Sequence, residues 1–276
     1  MEGAGNDYIY VDLFQEKLTD PVNFAIKVSH RHFGIGSDGL VLIGPSDHAD
    51  VSMRMYNADG SESEMCGNAI RCVGKYIRDR NIVDGTSATI ETLCGVKTLE
   101  LKLDSNNKVQ SVRVEMGAPI LEASNIPSRL RGEQIVNHSF RFGEYDFFGT
   151  LVSMGNPHLV TFVKDVDKVD IDRLGPMIEK SDLFPNRINV EFVQILSRTE
   201  VNQRTWERGS GETLACGSGA CAVCVAGNLS HQLDNKVLVH LREGDLNLSW
   251  EGPDYPVFME GPAREVFSGK IDIDLF

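Results

Sequence analysis

Two cysteines of this 276-residue chain stand where a thiol could do chemistry. Cys216 follows the charged pair Glu207 and Arg208 and sits among four glycines, Gly209, Gly211, Gly217 and Gly219. The run that follows, residues 220–226, is small and uncharged. Glycines that lead into an apolar helix leave its N-terminus open to close approach by backbone or ligand. A thiol at such a helix start has its thiolate favoured. On this stretch alone, a core cysteine after a turn would fit equally well. A second copy of the pattern changes that balance. Shifting the chain by 150 residues carries Gly5-Asn6 onto Gly155-Asn156, Tyr56 onto Trp206, Glu62 onto Glu212, Cys66-Gly67 onto Cys216-Gly217 and Val73 onto Val223. An internal repeat of this length implies two halves of similar fold, each presenting a cysteine at the start of a buried helix. The expectation is a pair of thiols facing one cleft between domains.

Four roles are open to such a pair. A native disulfide is out of place in a reduced compartment, though an empty site could oxidise. Cys216, Cys221 and Cys224 have the C-x4-C-x2-C spacing of a plant-type cluster site, but no cysteine follows to complete it. A single nucleophile with His158 as base leaves the second cysteine without a task. Proton transfer at a stereocentre uses both. One group removes a proton from one face while the other returns it on the opposite face. An unperturbed thiol titrates near ~8.5, and one thiolate disfavours a second close by. The pair then rests as one thiolate and one thiol. Charge developing on an adjacent carboxylate would be met by helix-end amides at Gly67-Asn68 and Gly217-Ser218, each helix end worth roughly half a positive charge.

The elements that must position these groups are legible in outline. Asp20 and Pro21 predict a helix over residues 20–33. Alternation from residue 51 to 56 predicts a strand, and a helix follows over 66–79. Residues 86–103 read as a hairpin about Gly95, and 109–116 as a strand. The second half restarts with strands over 147–163 around a turn at Gly155-Asn156, a helix at 170–180 and a strand at 188–196. The helix after Cys216, a hairpin at 236–250 and a strand near 255–260 complete it. Residues 119–134 are the best boundary, giving domains 1–118 and 119–262, with the tail 263–276 returning to the first. Cys72, Cys94, Cys221 and Cys224 read as core residues.

Composition narrows the function class. The chain is 41% hydrophobic with 40 acidic against 27 basic residues, a net charge of −13. That balance disfavours nucleic acid and anionic membrane as partners. No apolar run approaches the ~20 residues of a membrane span, and the N-terminus lacks a signal-peptide pattern. A cytoplasmic protein with reduced thiols is expected.

The residues resemble the diaminopimelate epimerase family over essentially the whole length. The resemblance is carried by GAGNDYIYVD, GIGSDGL, YNADGSESEMCGNAIRC, MGAPI, SMGNPHLV, RINVEF and ERGSGETLACGSGACA. Two-cysteine racemases of proline are related, but carry histidine where this chain has Asn68. The resemblance implies an α+β fold of two pseudo-symmetric domains, each a mostly antiparallel sheet wrapped around a central buried helix. It implies interconversion of LL- and meso-2,6-diaminopimelate with no cofactor and no metal, by Cys66 and Cys216 acting as opposed acid and base. Gly67, Asn68, Gly217 and Ser218 would hold the reacting carboxylate. Asn57, Asn189 and Arg208 match positions that grip the distal carboxylate, Asn6 and Asn156 match further substrate contacts, and Glu207 would take the distal ammonium. Glu207 and His158 would tune the thiols. The family also implies a homodimer, for which Phe267 is a candidate contact. Three departures stand out. The short strand that usually precedes GAGND is absent, so either an edge of the first domain is expected to be unpaired or the chain start is placed late. Gly39 replaces a glutamine that contacts substrate in some members, and Glu2 replaces a frequent histidine.

Overall fold

Asp20 and Pro21 begin the first helix as their chemistry requires. The Asp20 carboxylate accepts the Asn23 amide at 3.1 Å, and Pro21 stands where no helical amide is lost. The helix ends at Ser29, short of the expected residue 33. His30 turns to an extended backbone, and its Nδ1 accepts the amides of His32 and Phe33. That side chain competes with the helix for backbone donors.

The computed structural model describes residues 1–272, so the last four residues of the expected returning tail lie outside the described residues. Two units divide the chain, one formed by residues 1–115 with the segment from residue 260 onward, the other by residues 116–259. In the first, β1 (Glu2–Gly3), β2 (Asn6–Asp7), β3 (Ile9–Asp12), α1 (Pro21–Ser29), β4 (Gly39–Gly44), β5 (Val51–Asn57) and β6 (Glu62–Ser63) precede the buried helix α2 (Gly67–Asp79). β7 (Ser87–Thr92), β8 (Gly95–Leu103) and β9 (Val109–Gly117) follow. The strand order is β9-β8-β7-β5-β4-β3, which leaves β3 at the edge among the described residues. Pairing is antiparallel except between β3 and β4 and between β5 and β7. Those two parallel pairs are the ones whose strands are joined through α1 and α2, as a parallel connection requires.

The second unit repeats the plan. β10 (His138–Phe142), β11 (Tyr145–Ser153), β12 (Pro157–Val163), α3 (Ile171–Glu179), β13 (Asn189–Ser197), β14 (Glu200–Glu207) and β15 (Gly211–Thr213) lead to α4 (Gly217–Leu229), then β16 (Lys236–Leu241), β17 (Gly244–Ser249) and β18 (Val257–Pro262). Its order is β10-β11-β12-β13-β14-β16-β17, with parallel pairing only at β12–β13 and β14–β16.

The two registers agree residue for residue. Leu40 faces Tyr56 and Tyr56 faces Glu62; Val190 faces Trp206 and Trp206 faces Glu212. An ion pair repeats with them, Arg54–Glu62 at 2.8 Å and Arg204–Glu212 at 2.7 Å. Both central helices close on a non-glycine residue with positive φ, Asn81 at 58° and His231 at 59°. In each case the next amides return to the last helical turn, Ile82 to Ile77 and Gln232 to Gly227, a closure that satisfies carbonyls otherwise left bare.

Some expectations needed correction. β10 and β14 were not foreseen from the sequence. β10 packs Phe140 and Phe142 against Phe147 and Phe184, a burial that forms only once the sheet exists. Cys72, Cys221 and Cys224 are buried, but Cys94 is exposed at the β7–β8 turn, where its amide caps the Thr92 hydroxyl. Phe267 is 59% exposed. No described helix is long and apolar enough to cross a membrane.

Candidate active site

Each central helix starts at a cysteine because the preceding residues are extended and the following ones are small. Cys66 is the N-cap of α2 with φ −126° and ψ 123°, and Cys216 is the N-cap of α4 with φ −114° and ψ 105°. Gly67-Asn68 and Gly217-Ser218 are then the first helical residues, whose amides have no partner within the helix.

Around Cys66 the neighbours are polar and partly open. Its Sγ donates to Asn6 Oδ1 at 3.4 Å. Asn6 Nδ2 donates to Asp38 Oδ2 at 2.6 Å, and Arg31 Nη2 meets Asp38 Oδ1 at 3.0 Å. Burial holds the Asp38 carboxyl above the usual range, with the Asp7 charge adding to it, while Asn6, the Asp7 amide and Arg31 offset part of the effect. Asn57, at the end of β5, donates to the Ser61 hydroxyl at 2.9 Å.

The neighbourhood of Cys216 is closed. The residue is 5% exposed. Its sulfur accepts the Gly219 amide at 3.3 Å, and Ser218 Oγ lies 3.6 Å away. Ser218 Oγ accepts from Asn156 Nδ2 at 3.2 Å. Asn156 Oδ1 meets His158 Nε2 at 3.0 Å, and His158 Nδ1 meets Glu191 Oε1 at 2.8 Å. Glu207 accepts the Thr213 hydroxyl, and its carboxylate lies near enough to act on the Cys216 thiol. Burial pushes the Cys216 thiol well up, and the carboxylates of Glu207 and then Glu191 push it further. Ser218 and the Gly219 amide pull the other way. Burial likewise raises the Glu207 carboxyl, against the Thr213 hydroxyl and the nearby His158. These surroundings favour the thiol form of Cys216.

The structure thus gathers Asn6, Gly67 and Asn68 at Cys66, and Asn156, His158, Glu207, Gly217 and Ser218 at Cys216. Glu207 and Arg208 are not a surface pair. The Arg208 guanidinium is directed outward, where Nη1 meets the Asn186 carbonyl at 3.2 Å. It has no carboxylate partner among the described residues. Asn189 holds the Pro157 carbonyl at 3.0 Å and the Arg208 amide at 3.0 Å, so its amide fixes the backbone that carries Arg208. Gly39 has no room for a longer side chain, since a Cβ there would lie 2.1 Å from the Tyr56 carbonyl oxygen.

Three residues escaped the sequence reading: Asp38, Gln203 and Glu191. Gln203 Nε2 donates to the Thr205 hydroxyl at 2.8 Å behind α4. Glu191 left one signal, a lone acid inside the apolar run of β13. Gly219 belongs with it, because a Cβ at that position would lie 2.7 Å from Glu191 Oε1 and 3.2 Å from Cys216 Sγ.

Comparison with known proteins agrees along the chain. A family model described as diaminopimelate epimerase matches residues 1–122 and 150–266. The diaminopimelate epimerase of Agathobacter rectalis is 53% identical over 280 residues, covering 99% of this chain and 98% of that protein. The diaminopimelate epimerase of Methanococcus maripaludis is 50% identical over 273 residues, with the same coverage of 99% and 98%. Among solved structures, a hydroxyproline epimerase from Agrobacterium vitis with bound trans-4-hydroxy-L-proline superposes with a TM-score of 0.65 at 12% identity, covering 95% of this chain and 86% of that one. Methylitaconate-delta-isomerase gives 0.64 at 15% identity, with 97% and 92% covered. At such identities these two structures share the fold alone.

Proposed function

The chain belongs to the diaminopimelate epimerase family, and from that premise we propose that it interconverts LL- and meso-2,6-diaminopimelate. It is an isomerase. One cysteine thiolate takes the α-proton, the electron pair spreads onto the α-carboxylate, and the other cysteine thiol delivers its proton to the opposite face. The first cysteine leaves as a thiol and the second as a thiolate, so the reverse reaction starts from the complementary state. The observation that carries the reading is the duplicated frame, in which Cys66 and Cys216 are N-caps of corresponding helices.

In this reading Gly67, Asn68, Gly217 and Ser218 meet the charge on the α-carboxylate with first-turn helix amides, stabilisation that is worth most where water is excluded. Arg208 grips the distal carboxylate with its planar fork. Asn6, Asn57 and Asn156 complete the contacts, and Asn189 contributes by fixing the Arg208 backbone. Glu207 has its carboxylate at the Cys216 sulfur, a placement that favours thiol tuning over capture of the distal ammonium. The reading also includes a cytoplasmic homodimer with Phe267 at a subunit contact, which sedimentation of the wild-type and a Phe267→Ser variant would examine.

The test is solvent-deuterium incorporation at the α-carbon of LL-diaminopimelate under reducing conditions. Deuterium with meso product is expected. No exchange and no meso product would sink the reading, and exchange into proline instead would point to racemisation of another amino acid.

A further inference from the structure

Glu191 is fully buried on β13, and beyond its charge acting on the Cys216 thiol it has been given no task above. A buried carboxylate persists when it is paired and hydrogen-bonded, and this one meets His158 Nδ1 at 2.8 Å. Its other oxygen, Oε2, has no hydrogen-bond partner among the described residues. His158 is therefore its one counter-group.

We propose that Glu191 is a positioning residue for Cys216, acting through His158, Asn156 and Ser218. The proposal rests on the epimerase reading, and its logic is one of donor direction. The ionised carboxylate only accepts, so His158 Nδ1 donates to it. Asn156 Oδ1 also only accepts, so His158 Nε2 donates there. The ring thus donates from both nitrogens, and the Asn156 amide has the one orientation that suits such a ring. Its Nδ2 must then point to Ser218 Oγ. The Ser218 oxygen is occupied as an acceptor, which leaves its hydrogen for the Cys216 sulfur at 3.6 Å. A charge buried on β13 thereby sets the direction of a hydroxyl at the catalytic atom. The groups that act on Cys216 are Glu191 from β13, Glu207 from β14, and Ser218 with the Gly219 amide from α4 itself, with His158 of β12 one step behind through Asn156.

The fold alone does not call for this pair. The equivalent positions of the first unit, in the shared register, are Val41 for Glu191, Tyr8 for His158, Met53 for Gln203 and Met55 for Thr205, all of them buried. The same frame closes over α2 with apolar residues. A buried ion pair is weak evidence of a stabilising role, and here a natural hydrophobic replacement stands in the same molecule. Gly219 supports the assignment, because the glycine is what lets the carboxylate lie against the start of α4.

Glu191→Gln keeps the shape and removes the charge. His158 then loses the proton at Nε2, Asn156 turns its amide over, and the Ser218 hydroxyl donates to Asn156 instead of to sulfur. The expected loss in kcat is about tenfold, the scale of one hydrogen bond to a charged group. Ser218→Ala, which keeps the backbone amide, should lose a similar factor, and the double variant should lose no more than either alone. Wild-type kcat in Glu191→Gln, or losses that multiply, would overturn the proposal. Nitrogen NMR of the histidine-labelled wild-type enzyme supplies a second readout, with His158 assigned by its absence in His158→Gln. Both ring nitrogens should carry hydrogen in the wild type, and one should lose it in Glu191→Gln. A bare ring nitrogen at His158 in the wild type would also overturn it. A wild-type enzyme inert on diaminopimelate would instead sink the epimerase reading, with the NMR measurement still deciding on Glu191.

Discussion

The two cysteine neighbourhoods share a backbone and differ in nearly every side chain behind it. Strand register, helix start, helix closure and the Arg–Glu pair across β5–β6 and β14–β15 all repeat. Yet Cys66 meets a partly open set of groups through Asn6, with Asp38 and Arg31 behind it, whereas Cys216 lies beside the carboxylates of Glu207 and the buried Glu191, with the buried His158 paired to Glu191. Packing of a helix into a sheet fixes positions, and many apolar or polar sets can fill them. Protonation is set by the particular charges within a few ångströms. Duplication therefore supplied two equivalent places for a thiol, and the surrounding residues made the two thiols unequal.

The largest expected effects test where the halves should be alike. Cys66→Ser and Cys216→Ser should each reduce kcat by about 10²–10⁴, the usual worth of a positioned acid or base. An unaffected Cys66→Ser enzyme would contradict a two-base reaction. Next comes the repeated ion pair. Arg204 is 10% exposed on its side chain, against 53% for Arg54, and it also donates to the Val166 and Val169 carbonyls. Urea denaturation should show Arg204→Met costing about 2–3 kcal/mol. Arg54→Met should cost no more than ~1 kcal/mol, as for exposed pairs. Equal costs would mean that burial does not separate the two copies.

Gly219 and Ala69 occupy the same place in α4 and α2. Gly219→Ala forces a methyl against Glu191 Oε1 and Cys216 Sγ and should cost about 1–3 kcal/mol by overpacking. Ala69→Gly removes a buried methyl and adds chain entropy, at about 1–2 kcal/mol. Only the first should also slow turnover, and parallel loss of activity in both would erase the distinction. The mildest test concerns protonation. Glu207 is the first charge that holds the Cys216 thiol up, so Glu207→Gln lowers that value and raises the thiolate fraction at neutral pH. Iodoacetamide labelling followed by mass spectrometry should show faster alkylation of Cys216 and an unchanged rate at Cys66. In the wild type, labelling of Cys216 should rise only at pH above the ordinary thiol value of ~8.5. Equal rates in variant and wild type would remove Glu207 from the tuning role.

Much of the frame was legible because its signals are local or repeated. Asp20 and Pro21 marked a helix start, alternation marked β5, and the 150-residue echo located the second cysteine. β10 was not legible, because its short run carries only Phe140 and Phe142 as apolar residues, and their burial depends on the hairpin with β11 and on the distant Phe184. The end of α1 was missed because a histidine side chain, not a proline or glycine, diverts the backbone. Cys94 looked like a core residue by type and proved to be a turn residue by position.

By itself the sequence determined the repeat, the cysteines at two helix starts and the motifs of the family, since these depend on residue type and spacing along the chain. Only the tertiary structure decided what each thiol feels. Glu191, His158 and Glu207 come from three different strands, and they reach Cys216 because parallel and antiparallel pairing sets β12, β13 and β14 side by side. Electrostatic influence falls with distance in space and takes no account of distance along the chain.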